Sequence, residues 1–97
     1  MYKNLDPLLH APLRLAIVSY LMTHSKASFK ELKSDTAATS GNTSVQLKKL
    51  EEAGYLRIEK SFLDNYPLTQ VRLTKKGIKA FEEYVKALKK YIFKPPS

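Results

Sequence analysis

Cysteine is absent from the chain, which excludes a disulfide framework, a thiolate metal site and a cysteine nucleophile. No run of about 18 apolar residues occurs, the minimum for a membrane-spanning helix. The opening residues, MYKNLDPLLHAPLRL, lack the uninterrupted apolar core of a secretory signal. We therefore expect a protein that stays in the reducing cytoplasm and makes no membrane contact.

Groups that perform catalysis or hold metals are also scarce. The chain has only three glycines and two histidines, and it contains no phosphate-binding glycine loop, HExxH pair or nucleophile elbow. His10 and His24 stand apart at the two ends of the first predicted helix, and no cluster of metal ligands accompanies them. We expect no enzymatic activity, no metal and no cofactor.

Basic residues outnumber acidic ones almost two to one. Seventeen Lys and Arg face nine Asp and Glu, which gives a formal net charge of +8 and a pI near 9.7. Residues 48–97 hold most of the excess, with twelve basic and six acidic groups against five and three in residues 1–47. A pI above about 9 in a small domain indicates a polyanionic partner, most commonly nucleic acid. The charge by itself is equally consistent with a basic surface that only contacts solvent and binds no polyanion.

The whole chain, residues 1–97, has the size of one small domain, which buries only about 60–65% of the surface its unfolded form exposes. Apolar periodicity and capping residues predict a mainly α-helical fold with a small β-hairpin (α+β). Ser28 and Glu31 form a capping box at the second helix, and Gly54 ends the third. The predicted helices cover about Pro12–His24, Phe29–Ser34, Asn42–Ala53 and Lys75–Ile92, and the predicted strands cover Tyr55–Lys60 and Leu68–Leu73, with residues 61–67 as the hairpin loop.

Two helices joined by a short polar turn and followed by a hairpin describe a winged helix-turn-helix. An α-helix fits the major groove of B-DNA, and the preceding helix braces it across the backbone. The third predicted helix is the reading element, because Thr43, Leu47 and Leu50 form its core side and leave the other side free. The predicted DNA contacts on this helix and at its start are Ser40, Gly41, Asn42, Ser44, Val45, Gln46, Lys48 and Lys49.

These residue types suit different parts of a DNA duplex. Ser44 can hydrogen-bond to a base or a phosphate, Val45 can meet a thymine methyl group, and the two lysines can neutralise phosphates. Asn42 and Gln46 lie nearer the flank, where either could read adenine, and Asn42 could instead bind a phosphate at the helix start. Each residue also has a structural alternative, since small polar residues often only cap helices and paired lysines often only face solvent.

The segment TSGNTSVQLKKLEEAGYL, residues 39–56, resembles the recognition helix and first wing strand of small MarR/ArsR-like winged-helix transcriptional regulators. The segment VRLTKKG, residues 71–77, is similar to their second wing strand and the start of their last helix. The resemblance covers residues 5–92. It implies a homodimeric DNA-binding regulator that places its recognition helices in successive major grooves of double-stranded DNA.

The sequence departs from this family at two places. Thr43 occupies a position where the family usually has a larger apolar side chain. The wing tip, Leu63 to Tyr66, carries one acidic residue and neither Lys nor Arg, whereas wings of the family often use a basic tip in the minor groove. Lys60 and Arg72, one on each strand, are therefore the predicted phosphate contacts of the wing, with a simple surface charge as the alternative.

The last predicted helix has the sharpest periodicity in the chain. Its apolar residues recur at spacings of 3, 4, 3 and 4, the pattern of a coiled-coil seam. The first helix has a spare apolar face as well, and exposing both faces in a monomer would favour aggregation. We expect residues 75–92 to form a dimerisation helix, with packing on the chain's own core as the alternative. The predicted dimer interface comprises Leu15, Val18, Met22, Ile78, Phe81, Val85, Leu88 and Ile92.

A second class of function stays open. Winged helices also dock other proteins, and the acidic, aromatic wing tip with Phe62 and Tyr66 favours such a protein–protein interaction module. A third interpretation is an architectural protein that binds DNA without sequence preference. No residue pattern supports a small-molecule effector, although the junction of the first and last helices leaves that alternative open. The feature that discriminates DNA binding from protein docking is one basic face formed in space by Lys48, Lys49, Lys60 and Arg72.

Overall fold

The computed structural model describes residues 5–93. Within this range the chain forms four α-helices and a three-stranded antiparallel sheet in the order of a winged helix, which confirms the predicted fold. Each predicted helix is present, and its bounds differ from the prediction by at most two residues. The helices are α1 (Pro12–Thr23), α2 (Phe29–Thr36), α3 (Ser40–Glu52) and α4 (Lys75–Ile92), and the strands are β1 (Ala27–Ser28), β2 (Leu56–Leu63) and β3 (Tyr66–Leu73).

At the starts of α2, α3 and α4, a side chain accepts a hydrogen bond from a backbone amide that has no partner within the helix. The predicted capping box opens α2: the Ser28 hydroxyl accepts from the Glu31 amide (3.0 Å), and the Glu31 carboxylate accepts from the Ser28 amide (3.2 Å). The hydrogen bond from the Ser28 amide holds the pKa of the Glu31 carboxyl below its usual range. Thr39 caps α3 by accepting from the Asn42 amide (3.1 Å), so this helix begins at Ser40 rather than at Asn42.

The end of α3 is a Schellman motif. Gly54 adopts a left-handed conformation (φ 80°), which glycine reaches without steric cost. The Tyr55 amide donates to the Leu50 carbonyl (3.0 Å) and the Gly54 amide to the Glu51 carbonyl (2.9 Å). These bonds confirm the predicted helix stop and turn the chain directly into β2.

The wing is longer than predicted. β2 and β3 pair along their whole length, ending with Leu63 opposite Tyr66, so most of the predicted loop at residues 61–67 lies in strands. The turn consists of Asp64 and Asn65, both with positive φ (51° and 68°), as a two-residue type I′ hairpin requires. The short strand β1, not anticipated from the sequence, pairs with the other edge of β3.

The helices and one face of the sheet enclose an apolar core. Its members come from every helix and strand and from the turn before α1, which contributes the fully buried Leu9. His10 of the same turn hydrogen-bonds through Nδ1 to the Tyr84 hydroxyl (2.9 Å), so this turn is fastened to α4. No helix within residues 5–93 is long and apolar enough to cross a membrane. The buried core cluster consists of Leu9, Ile17, Val18, Leu21, Ala27, Leu32, Leu47, Leu50, Leu56, Val71 and Tyr84.

Candidate nucleic-acid interface

The exposed side of α3 holds the predicted reading residues. The opposite side is buried and fixes the orientation of the helix against the core through Thr43, Leu47 and Leu50. Val45 keeps 51% of its surface exposed although it is apolar. An apolar side chain left in water among polar ones suits contact with a thymine methyl group. The neighbouring exposed positions are Ser40, Gly41, Asn42, Ser44, Lys48 and Lys49, while Gln46 is half-buried.

Thr43 is fully buried beneath this reading side. Its hydroxyl donates to the Thr39 carbonyl one turn earlier (2.8 Å), so the polar group is satisfied within α3. Among the described residues no buried side-chain nitrogen or oxygen lacks a hydrogen-bond partner. Thr43, which replaces the larger apolar residue usual in the family, therefore leaves no unsatisfied polar group beneath α3.

A groove of about 490 Å³ separates α3 from the wing. Ser44 and Lys48 of α3 line it from one side, and Lys60 of β2 lines it from the other. Predicted contact residues of α3 and of the wing, which are distant in sequence, are thus brought together at one depression. The rest of its lining consists of Phe29, Leu47, Glu51, Ile58 and Thr69.

Arg72 does not join this basic surface. Side chains alternate along a strand, and residues opposite each other on paired strands share a face. Arg72 lies opposite Arg57 and next to the buried Val71, so it points away from the core side of the wing, where Lys60 lies. Its Nε is also 3.3 Å from the Glu59 carboxylate. The basic face that would discriminate DNA binding from protein docking therefore does not include Arg72.

A chain of side-chain hydrogen bonds leads from α1 to the start of α3. The Nη1 of Arg14 donates to the Gln46 Oε1 (2.7 Å), and the Gln46 Nε2 donates to the Asn42 Oδ1 (3.0 Å). The Nε of Arg14 donates to the Leu8 carbonyl (2.6 Å). The sequence did not single out Arg14, because its partner on α3 is 32 positions away and no local pattern connects them. Both polar atoms of the Gln46 amide are thus engaged within the chain.

The tip of the wing is apolar and exposed. Phe62 and Tyr66 keep 77% and 76% of their surface in solvent, and Leu63 is exposed beside them. Asp64 and Asn65 form the turn, and no Lys or Arg occurs between residues 61 and 71. The tip therefore offers contact area but no positive charge to a partner.

Helix α4 has two apolar sides. Tyr84 and Ala87 are buried and pack the helix on the core. The predicted stripe runs along an adjoining side and is only partly covered: Leu88 is half-buried, while Ile78 and Ile92 are exposed, Ile92 by 61%. Because α4 packs on the core through Tyr84 and Ala87, the apolar residues of the stripe keep part of their surface in solvent.

The first helix adds to this uncovered surface. Met22 lines a shallow depression of about 270 Å³ together with Phe81 and Val85 of α4. Leu15 is partly buried against the core. Val18, however, is fully buried inside its own chain, so its predicted place in a dimer interface is wrong. The sequence assigned it to the spare face of α1, whereas that turn of the helix is covered by the chain itself.

Comparison with known proteins places this architecture among related chains. A family model described as a winged helix DNA-binding domain matches residues 13–92. An uncharacterised protein of Methanocaldococcus jannaschii is 35% identical over 72 residues, which cover 74% of this chain and 78% of that protein.

Solved structures share the fold. A transcriptional regulator homologue from Pyrococcus horikoshii has a TM-score of 0.84 and 29% identity, over 89% of this chain and 85% of that chain. A mutant of MarR from Escherichia coli, solved in complex with operator DNA, has a TM-score of 0.76 over 95% of this chain and 65% of that chain. With 17% identity, the second similarity is one of fold alone.

Proposed function

Because the chain belongs to the winged helix DNA-binding domain family, we propose that it is a transcriptional regulator that binds double-stranded DNA as a homodimer. The family match and the fold of the neighbouring structures agree with its resemblance to small MarR/ArsR-like regulators. One observation carries the proposal: the exposed polar side of α3, with Val45 in its centre, borders a groove flanked by two lysines. A helix with such a surface suits the width and charge of a major groove.

The residues of this surface divide into readers and anchors. Ser44 and Val45 meet base edges, because they lie on the solvent side of α3 away from the core. Lys48 and Lys60, on the two sides of the groove, each neutralise a phosphate, and Lys49 adds charge along the helix. Anchors of this kind fix the register of the helix on the duplex, while the readers distinguish sequences.

A second copy of the chain covers the stripe of α4 and the adjoining surface of α1. This pairing removes Ile78, Val85 and Ile92 from water and gives residues 75–92 the role of a dimerisation helix within one domain of residues 1–97. A two-fold dimer presents two copies of α3, which calls for a pseudo-palindromic operator with half-sites about one helical turn apart.

Fluorescence anisotropy tests the proposal with the full chain. A duplex from the promoter of its own gene is compared with a scrambled duplex of the same composition, each at two salt concentrations. We expect affinity for the promoter to be about tenfold higher or more, and log affinity to fall with log salt by about 0.9 for each neutralised phosphate. Equal, weak binding to both duplexes would contradict a sequence-reading function.

Two variants separate readers from anchors. Lys48→Ala should weaken binding to promoter and scrambled duplex by the same factor, because a phosphate contact carries no sequence information. Val45→Ser should lower affinity for the promoter and leave affinity for the scrambled duplex nearly unchanged. If both variants weakened both duplexes equally, the assignment of Val45 to base reading would be abandoned.

The wing tip supports a second candidate function, a docking module for another protein. Phe62, Leu63 and Tyr66 are exposed, and the turn that joins their strands carries an acidic residue and no basic one, which suits a partially apolar protein surface better than a phosphate backbone. Under this alternative, Phe62→Ser with Tyr66→Ser abolishes partner binding and leaves DNA affinity unchanged. If DNA affinity falls instead, the tip belongs to the DNA interface.

A further inference from the structure

Arg14 occupies a junction between the turn before α1 and the start of the reading helix. Its Nε donates to the Leu8 carbonyl (2.6 Å), and its Nη1 donates to the Gln46 Oε1 (2.7 Å). One planar guanidinium thus makes two hydrogen bonds in different directions, and the first holds it in position for the second. The side chain is partly buried, which limits competition from water.

The chemistry of the guanidinium determines how the neighbouring amides are turned. Arginine has only donors, so Gln46 must present its oxygen to Arg14, and its NH₂ group then faces the other way. That NH₂ group needs an acceptor and finds the Asn42 Oδ1 at 3.0 Å. We call the hydrogen-bonded series Arg14–Gln46–Asn42 the relay. Because the Asn42 oxygen is engaged by Gln46, the Asn42 amide directs its Nδ2 donors away from the relay.

Asn42 is in a position to use this donor. It is exposed in the first turn of α3, the part of a recognition helix that meets base edges in helix-turn-helix complexes. Its backbone is fixed as well, since its amide N–H is bonded to the Thr39 hydroxyl (3.1 Å). Both the backbone and the side chain of Asn42 are therefore ordered before DNA arrives, which lowers the entropy cost of the contact.

We propose that Arg14 is a positioning residue that acts through Gln46 to hold the Asn42 amide with its NH₂ group toward the operator. At the base that Asn42 meets, the protein then favours guanine or thymine, whose keto oxygens O6 and O4 accept a hydrogen bond, over adenine and cytosine, which present an amino group instead. The inference rests on the proposed function and deepens it by naming what this position reads. Gln46 supports the reader and is not itself the reader of adenine.

The relay matters because a free asparagine amide can rotate by half a turn. The turned amide offers its oxygen, which suits the amino groups of adenine and cytosine. Holding one orientation therefore converts an ambiguous side chain into a selective one. Two substitutions act on the relay in different ways: Arg14→Met frees the Gln46 amide, and Gln46→Glu places an acceptor beside Asn42 while keeping a partner for Arg14.

In vitro selection measures the effect. The full-length protein and each variant select duplexes from a library with randomised half-sites, and the bound duplexes are sequenced. Asn42→Ala identifies the base pair that Asn42 reads, because its preference is lost only there. For the wild type we expect guanine or thymine at that position, enriched roughly three- to tenfold over adenine and cytosine, the range that one net hydrogen bond supplies.

The two relay variants have distinct expected outcomes. Arg14→Met should remove the preference at the position that Asn42 reads and leave the other positions unchanged. Gln46→Glu should turn the Asn42 amide, because its carboxylate accepts from Nδ2, and should shift the preference toward adenine or cytosine amino groups. Lys26→Met, which removes one charge from an exposed site before β1, is the matched control and should keep the wild-type preference.

Several results would overturn the inference. If Arg14→Met lowers affinity for all duplexes equally and keeps the same preferred base, Arg14 stabilises the fold or contacts a phosphate and does not position Asn42. Unchanged preference in Gln46→Glu, which keeps the partner of Arg14, shows that the amide orientation is not read. A wild-type protein that enriches no sequence would overturn the proposed function together with this inference, whereas an enriched motif that is insensitive to both relay variants overturns the inference alone.

Discussion

The hydroxyl of Tyr55 donates a hydrogen bond to the carboxylate of Asp6, which lies 49 positions earlier in the chain. Tyr55 directly follows the stop of α3, and Asp6 sits in the turn before α1, where its side chain also accepts from the Leu8 amide (2.9 Å). The Tyr55 carbonyl in turn accepts from the Thr74 amide at the start of α4 (3.1 Å). One residue therefore ties the end of the reading helix to the two segments that surround it.

Tyr55 should ionise much later than an ordinary tyrosine. Burial, together with the hydrogen bond to Asp6 and its negative charge, raises the pKa of Tyr55 to about 12, against about 10 in an unfolded chain. Because the folded-state pKa is the higher one, the stabilisation is complete below about pH 10 and is lost as pH rises from 10 to 12. In a titration of tyrosinate absorbance, one of the six tyrosines should ionise near pH 12, and Tyr55→Phe should abolish that step.

The same substitution should lower the free energy of unfolding at neutral pH. A hydrogen bond to a charged group contributes about 1.5–3 kcal/mol, and Asp6 keeps its bond from Leu8, so we expect a loss near the lower figure. Tyr66→Phe removes a hydroxyl at the exposed wing tip and is the control for urea denaturation. Equal unfolding midpoints for the two variants would mean that the Tyr55–Asp6 bond adds nothing to stability.

Two glycines should respond to the same substitution with opposite signs. A methyl group at Gly77 would overlap the carbonyl of Tyr55, because the first turn of α4 packs directly on that backbone, with the Thr74 hydroxyl bonded to the Gly54 carbonyl (2.6 Å). Gly77→Ala should therefore destabilise the fold by about 3 kcal/mol. Gly41 has no atom within 4 Å of an added Cβ, and Gly41→Ala should stabilise the fold by about 0.5–1 kcal/mol.

Thermal unfolding of the two alanine variants measures this contrast. The transition of Gly77→Ala should lie below that of the wild type, and the transition of Gly41→Ala should lie above it. A stable Gly77→Ala protein would show that α4 can shift away from Tyr55, and the close contact would then not restrict this position.

The salt dependence of DNA binding should separate the two faces of the wing. Lys60 shares the groove with Lys48, so Lys60→Ala should reduce the slope of log affinity against log salt by about 0.9, the value of one phosphate contact. Arg72 points to the other face and is paired with Glu59, so Arg72→Ala should leave the slope unchanged. If the slope were reduced in Arg72→Ala and unchanged in Lys60→Ala, the face of the wing that carries Arg72 would be the one that contacts DNA.

Local signals in the sequence were sufficient for the helices and the order of elements. The capping box at Ser28 and the glycine stop at Gly54 depend on residues within five positions of each other, and both are present. The wing is longer than predicted, because the sequence pattern places Pro67 in the loop of the hairpin. This proline is tolerated in β3 because β1 pairs only with Gln70 and Val71, which leaves the strand edge beside Pro67 free of a second partner.

The candidate site depended more on contacts between distant residues. The alternation Val71–Arg72–Leu73 already placed Arg72 opposite the core side, so its orientation could have been read from the strand pattern. The relay from Arg14 to Asn42 had no such signal, because its members come from two helices whose packing only the fold defines. The predicted place of Val18 in the dimer interface is wrong for a related reason. The sequence of a helix that is apolar nearly all round does not indicate which of its sides packs on its own chain.

The uncovered stripe of α4 gives the last prediction, on oligomeric state. Val85 lies at the centre of the proposed dimer interface, in the depression shared with Met22 and Phe81, and Val85→Lys would bury a charge there without a partner. Light scattering after size exclusion should give twice 11.1 kDa for the wild type and the single-chain mass for Val85→Lys. Glu83→Gln changes the charge by the same amount at an exposed position and should stay dimeric. A wild-type protein with the mass of one chain would refute the dimer, whereas a dimeric Val85→Lys would move the interface away from this stripe.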